Sequence, residues 1–229
     1  MKFFIKSFFP DEKIPSSCLL FPFRDELLKA VCHFEKAVKI PVRDEEFLAY
    51  RCFLKHKETL AMNIPLGNNN LVLLKEVIEK SVSRIVLFNK AFSLKKEIKK
   101  GDILIPRASA MESDRLLVSP SLKIRDIVSS FKNDPGFHHG VHTGVTLTIP
   151  DSVLALCGPG DISGIVKKAE KAKLDPVAIT SLDYPLISFM ESFKVTYASI
   201  LYILSDEPDE PVNLMEQALS VFLNYWQNL

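Results

Sequence analysis

The run Tyr197-Ala198-Ser199-Ile200-Leu201-Tyr202-Ile203-Leu204 constrains this chain more than any other feature. Apolar residues fall on both of its alternating faces, so a strand made from it must be covered on both sides, as the interior strands of α/β sheets are. Ser205-Asp206 closes the run. A carboxylate at the C-terminal end of a buried strand lies where such sheets border their ligand crevice. Asp183, just ahead of an amphipathic stretch, is a second carboxylate that could face it. A two-carboxylate site is one reading of this pair; turn initiation and helix capping are the other, because Asp serves both.

The rest of the chain alternates in period. Leu71 to Lys80 has helical spacing, Arg84 to Phe88 is a short β-branched apolar run, and Asp102 to Ile105 follows a basic connection containing Gly101. Thr143 to Ile149 reads as a strand, and Asp161 to Lys173 as a helix with Asp161 at its N-cap. Val177 to Thr180 is a short strand, and Asp183-Tyr184-Pro185 starts a helix that runs on to Phe193. A last helix from about Val212 to Trp226 presents Leu214, Ala218, Val221, Phe222 and Tyr225 on one face. Gly158-Pro159-Gly160 marks a loop. Alternation of this kind implies helices covering a mixed or parallel sheet.

With 229 residues and 47% hydrophobic content, one α/β domain over 1–229 is the expected organisation. A formal net charge of +1 provides no field for nucleic acid or an anionic membrane, so any anion site must be local. Cys18, Cys32, Cys52 and Cys157 form no CxxC pair and sit mostly among apolar neighbours, as reduced thiols of a cytoplasmic protein do. The opening Met1 to Pro10 is apolar and basic but too short for a membrane span, and reads as a first strand or a docking segment.

Three motifs together resemble the purine nucleoside and uridine phosphorylase superfamily, which includes nucleosidases that cleave the same bond with water. Ser181-Leu182-Asp183 followed by Ser205-Asp206 is similar to the family's Glu-Met-Glu element and its Ser-Asp pair. Lys99-Lys100-Gly101-Asp102-Ile103-Leu104-Ile105-Pro106 resembles its Gly-Asp-hydrophobic-Ile-Pro strand, and Leu20-Phe21-Pro22-Phe23-Arg24 its Gly-Asp-Pro-x-Arg phosphate loop. The resemblance runs from roughly Leu19 to the end. It implies a three-layer α/β sandwich with a mixed central sheet, a nucleoside as ligand, phosphate as co-substrate or water as nucleophile, no other cofactor and no metal, and a homodimer or higher homo-oligomer.

The resemblance also implies roles. Breaking an N-glycosidic bond leaves positive charge on the ribose and negative charge on the departing base, so an acid near the base and an anionic nucleophile below the sugar both help. Asp206 would be the acid, with Ser205 beside it, and Asp183 the ribose contact, shorter than the family's Glu by one methylene. Arg24, Arg43 and Lys90 would hold phosphate, Arg43 from across a dimer interface. The phosphate half departs from the pattern: Leu20 replaces a glycine, and Leu87-Phe88-Asn89-Lys90-Ala91-Phe92 replaces a loop with an arginine and two glycines. Lys90 supplies a point charge without a bidentate fork. A nucleoside-cleaving enzyme and a degenerate relative that binds a nucleoside or serves structurally are therefore both carried forward.

Phe137-His138-His139-Gly140-Val141-His142 has no companion Cys or HExxH spacing, so a surface loop is preferred to a metal site. Phe92 and Phe137 are candidates for stacking on a base. Neither GxGxxG nor GxSxG occurs, which sets aside a Rossmann dehydrogenase and an elbow-type serine hydrolase.

Overall fold

The computed structural model describes residues 8–9, 13–43, 45–64, 70–111, 114–150, 159–171, 173–204 and 211–226. The strands are β1 (Ser17–Phe21), β2 (Lys36–Ile40), β3 (Ala49–Leu54), β4 (Lys57–Asn63), β5 (Arg84–Ser93), β6 (Ile103–Met111), β7 (Asp114–Val118), β8 (Val141–Thr148), β9 (Pro176–Thr180) and β10 (Thr196–Leu204). The helices are α1 (Arg24–Ala30), α2 (Asn70–Lys80), α3 (Ile124–Asn133), α4 (Pro159–Lys171), α5 (Asp183–Ser192) and α6 (Pro211–Trp226). The ten strands form one mixed sheet, as the alternation of periods implies.

Strands β2, β3 and β4 form an antiparallel meander, and β4, β1 and β5 run parallel. Beyond β5 the sheet curls. β10 is parallel to β5 and antiparallel to β6, β6 and β8 are parallel, β8 and β9 are parallel, and β9 returns antiparallel to the far end of β5. The five strands β5, β10, β6, β8 and β9 thus close a ring, while β2 and β7 are left as edges. β2 is mostly exposed and carries Lys36 and Lys39.

Strand alternation divides the core between two faces. Leu19, Phe21, Val86, Phe88, Ile200 and Tyr202 pack on one side beneath α1, α3 and α6. Cys18, Leu20, Ile85, Leu87 and Tyr197 pack on the other against α2 and α5, through Leu73, Leu74, Val77, Ile187 and Met190. This is the three-layer arrangement, and burial of apolar side chains on both faces is the main force that holds it. Gly101, at φ 88°, makes the tight turn into β6, a backbone conformation that a side chain would oppose.

Several local expectations change. β5 does not stop at Phe88; it continues to Ser93 because β10 pairs with it from Arg84 to Phe92, so the residues expected as a loop are strand. Pro159 and Gly160 open α4 and are not part of a loop, and Asp161 is inside that helix, not at its N-cap. The cap of α5 is Leu182, without a side-chain bond, and Asp183 is the first helical residue. The described end of the opening segment, Phe8-Phe9, docks: both backbone N–H groups donate to the Glu76 carboxylate, at 2.8 and 3.0 Å. Cys18 and Cys52 are buried free thiols, Cys32 is exposed, and Cys157 lies outside the described residues. No described helix is long and apolar enough to cross a membrane.

Closure of the ring depends on close approach at Gly144 in β8. A Cβ there would lie 2.3 Å from Val177 Cγ2 and 2.8 Å from its Cγ1, and a β-branched side chain beside the backbone has little freedom to withdraw. Gly144→Ala is expected to cost about 1–3 kcal/mol by overpacking in urea unfolding. Gly164→Ala, in the interior of α4 with nothing within 4 Å of the new Cβ, should be neutral or stabilising by up to about 1 kcal/mol. Equal midpoints for the two variants would refute this account of the β8–β9 seam.

Candidate functional site

β5 changes partner halfway along. On one side it pairs with β1 as far as Leu20↔Leu87, and on that side β9 joins only at Phe92↔Ile179. Between these points the sheet splits. A cavity of about 280 Å³ occupies the split, lined by Phe23, Asn89, Lys90, Phe92, Thr180 and Ser181, with Leu204 at the end of β10 completing the wall. It lies at the C-terminal ends of β5, β9 and β10, where open α/β sheets bind ligands. Phe92 is 44% exposed, and Phe23, at 40%, has one ring face covered by the Lys90 ammonium. Asn89 is buried, donating from Nδ2 to Thr180 Oγ1 at 3.1 Å and accepting the Lys90 N–H at 2.8 Å.

Behind the cavity sits a cluster that sequence reasoning missed. Lys90 Nζ lies 3.1 Å from Glu26 Oε1 and 4.1 Å from the centroid of the Phe23 ring. Glu26, on α1, also accepts a hydrogen bond from the Tyr202 hydroxyl of β10, and its other oxygen, Oε2, is buried without a hydrogen-bond partner. Burial pushes the Glu26 carboxyl up, partly offset by the Tyr202 hydroxyl and the Lys90 ammonium. Burial and the neighbouring carboxylate hold the Tyr202 phenol well above its usual range. The Lys90 charge is therefore partly spent inside the protein. In sequence Glu26 looks like any acid in the first turn of a helix, a position the helix dipole favours; only the fold brings it to Lys90.

Asp183 does not line the cavity. It is fully buried; Oδ1 accepts from Ser199 Oγ at 2.7 Å, and Oδ2 from Thr146 Oγ1 at 3.3 Å. The network extends from Ser199 to the Tyr197 hydroxyl at 2.8 Å, and from Thr146 to Ser109 at 2.9 Å. Ser109 meets Thr148 at 3.2 Å, and Thr148 Oγ1 accepts the Tyr184 N–H at 3.0 Å. Asp183 thus joins α5 to β6, β8 and β10. Burial pushes its carboxyl up to about 6, against the two hydroxyl bonds, which lower it.

The remaining expected residues are scattered. Arg24 begins α1 next to Phe23, and its side chain is exposed. Arg43 is exposed in the connection after β2, at the sheet edge remote from β5. Ser205 and Asp206 lie outside the described residues; they follow Leu204, which lines the cavity. Phe137 is buried against Phe131, whereas Phe92 faces the cavity. His142 Nε2 meets Asp102 Oδ2 at 2.8 Å, and Asp102 also accepts the Lys99 and Gly140 N–H groups, each at 2.8 Å. Burial raises the Asp102 carboxyl, but these bonds outweigh it and leave it below its usual value. The histidine segment is a clamp between the starts of β6 and β8.

The Asp183 carboxyl carries a definite pH signature. Its folded value, about 6, exceeds the ordinary 3.8, so it favours the fold fully below about pH 3.8 and that contribution is lost as pH rises through 6. The loss is of order 3 kcal/mol. Asp183→Asn, which keeps a side-chain acceptor for Ser199, should flatten the stability profile between pH 4 and 7 and leave the variant the more stable protein at pH 8. Denaturant titrations at several pH values test this; parallel profiles for the two proteins would rule out a strained buried carboxyl.

No family model matches the chain, and no curated protein matches it in sequence. Solved structures do match in shape. Uridine phosphorylase from Vibrio fischeri ES114 superposes with a TM-score of 0.79 at 10% identity, over 95% of this chain and 94% of that one. Purine nucleoside phosphorylase from Toxoplasma gondii in complex with immucillin-H gives 0.74 at 11% identity, over 95% and 94%. A futalosine hydrolase mutant of Helicobacter pylori strain 26695 gives 0.71 at 13% identity, over 94% and 98%. Coverage is close to complete in both directions, and the split, curled sheet is common ground between phosphorolytic and hydrolytic proteins: this chain has the nucleoside phosphorylase fold.

Proposed function

We propose that the cavity at the C-terminal ends of β5, β9 and β10 takes a nucleoside and that the protein cleaves its N-glycosidic bond with water. The observation that carries this reading is the Lys90–Glu26 pair beside the cavity. Phosphorolysis needs a preorganised dianion pocket of backbone N–H groups and guanidinium forks. Here the cation nearest the cavity is matched by a buried carboxylate, and a dianion beside Glu26 would meet repulsion in a low-dielectric setting. A neutral water meets none.

In this scheme the base stacks on Phe92 and the sugar lies towards Asn89, Thr180 and Ser181. Water adds its oxygen to the anomeric carbon as the N-glycosidic bond breaks. Asp206 protonates the departing base, and the proton released by water restores the carboxyl. Ser205 stands beside that acid, while Asp183 supports the strands that frame the cavity and does not touch the sugar.

A second reading, nucleoside binding without turnover, draws on the enclosure of Asp183, which removes one of the two expected carboxylates from the cavity. Base release from a panel of purine and pyrimidine nucleosides, assayed with and without phosphate, separates the cases. Hydrolysis predicts release that is indifferent to phosphate. Release that rises with phosphate means phosphorolysis, and saturable binding without release means a binding protein. Phe92→Ala should weaken nucleoside binding about tenfold or more through lost stacking. Glu26→Gln, which frees the Lys90 charge, should bring measurable phosphate inhibition or phosphate dependence; unchanged indifference to phosphate would remove the basis for the hydrolytic assignment.

A further inference from the structure

The opposite end of the same strands carries a second and larger cavity, about 570 Å³, in the range of small-molecule sites. It opens at the starts of β1, β4 and β5, about six strand residues or roughly 20 Å from the nucleoside cavity along β5. Its charges come from separate pieces of chain: Lys13 ahead of β1, His56 in the β3–β4 turn, Lys57 at the first position of β4, and Arg84 at the first position of β5. Glu58 is the single acid in the wall. Among the described residues, Lys13, Lys57 and Arg84 have no carboxylate within 4.0 Å, so these three cations share the cavity with one acid and none of them is held in an ion pair. Gathering like charges costs free energy that a bound anion would return.

Two further features suit an anion. Arg84 lies with its guanidinium 5.4 Å from the Trp226 ring, which fixes the plane of the fork while leaving its N–H edge for two parallel bonds. The wall itself is braced from within, since the Ser81 hydroxyl donates to the Ile14 carbonyl at 2.6 Å and that of Ser83 to the Ser16 carbonyl at 3.3 Å, so the cations are left as the groups that would meet an anion. The turns that build it are also held in disfavoured backbone geometry, Lys55 at φ 54° and Ser81 at φ 152°, although neither is glycine.

We infer that this cavity is a binding site for a small phosphoryl-bearing anion, with Arg84 and Lys57 as its principal ligands, separate from the nucleoside cavity. Inorganic pyrophosphate is a suitable probe. Trp226, the sole tryptophan of the chain, reports directly on the site. In fluorescence titration at constant ionic strength, pyrophosphate should give a saturable change with half-saturation below about 1 mM, the affinity of a few charge-assisted bonds. Chloride at matched ionic strength should not reproduce it. Arg84→Gln alters the Trp226 contact itself, so calorimetry supplies the second readout, and Lys57→Gln, at the exposed start of β4 and not in the Arg84–Trp226 contact, supplies a second variant. Each should weaken binding about tenfold or more, with circular dichroism matching the parent. Lys90→Gln, at the other end of β5, should leave pyrophosphate binding unchanged. A response equal to that of chloride, undiminished binding in both Arg84→Gln and Lys57→Gln, or loss of binding in Lys90→Gln would overturn the assignment. None of these outcomes bears on nucleoside cleavage, which is read separately by base release.

Discussion

The parallel pairing of β5 with β10 is the constraint on which the rest of the molecule depends. β10 follows β5 from Arg84 to Phe92, and this continuous ladder lets the other side of β5 change neighbours without unravelling. A strand that loses β1 and gains β9 several residues later would otherwise expose unpaired peptide groups on both sides, at the cost of buried polar groups without partners. With β10 in place, one side can remain open. The open side is the cavity at the ends of β5, β9 and β10, a by-product of how the sheet curls from an open half into a closed ring.

Polar chemistry in the interior is sorted around this seam. On one side of the ring Asp183 is held only by hydroxyls, so its charge is expensive and its proton is retained to unusually high pH. On the other, Glu26 is held by a phenol and an ammonium, whose contacts offset part of the rise that burial gives its carboxyl. The first arrangement ties elements together; the second sets the charge of the cavity wall. The two carboxylates that most affect this region are thus not the pair that the sequence brings to notice.

Much of the architecture was legible because it rests on periodicity. The apolar run from Tyr197 to Leu204 could only be an interior strand, and β10 is buried over nearly its whole length. Motifs at Leu20 to Arg24 and Lys99 to Pro106 gave the fold through resemblance, and the structural superpositions agree with it. Local sequence misled where pairing or packing overrode it. Asn89-Lys90-Ala91-Phe92 lacks strong strand character in its polar half, yet pairing with β10 keeps it extended. Asp183 has the chemistry of a helix cap, but two strands offering hydroxyls outcompeted the cap position. Glu26 could not be found at all from spacing, since its partners Lys90 and Tyr202 are distant in sequence.

Ring closure has one more consequence, for how copies of this chain can meet. A sheet of ten strands drawn flat would present two long rims, but among the described residues closure leaves only β2 and the short β7 with an unpaired side. β2 carries the exposed Lys36 and Lys39, and charged residues on an edge strand oppose its pairing with a second edge. Fusion of two sheets into one is thereby discouraged at that rim. The short β7 is the other strand with an unpaired side among the described residues, so joining of sheets between copies would have to run through that short rim.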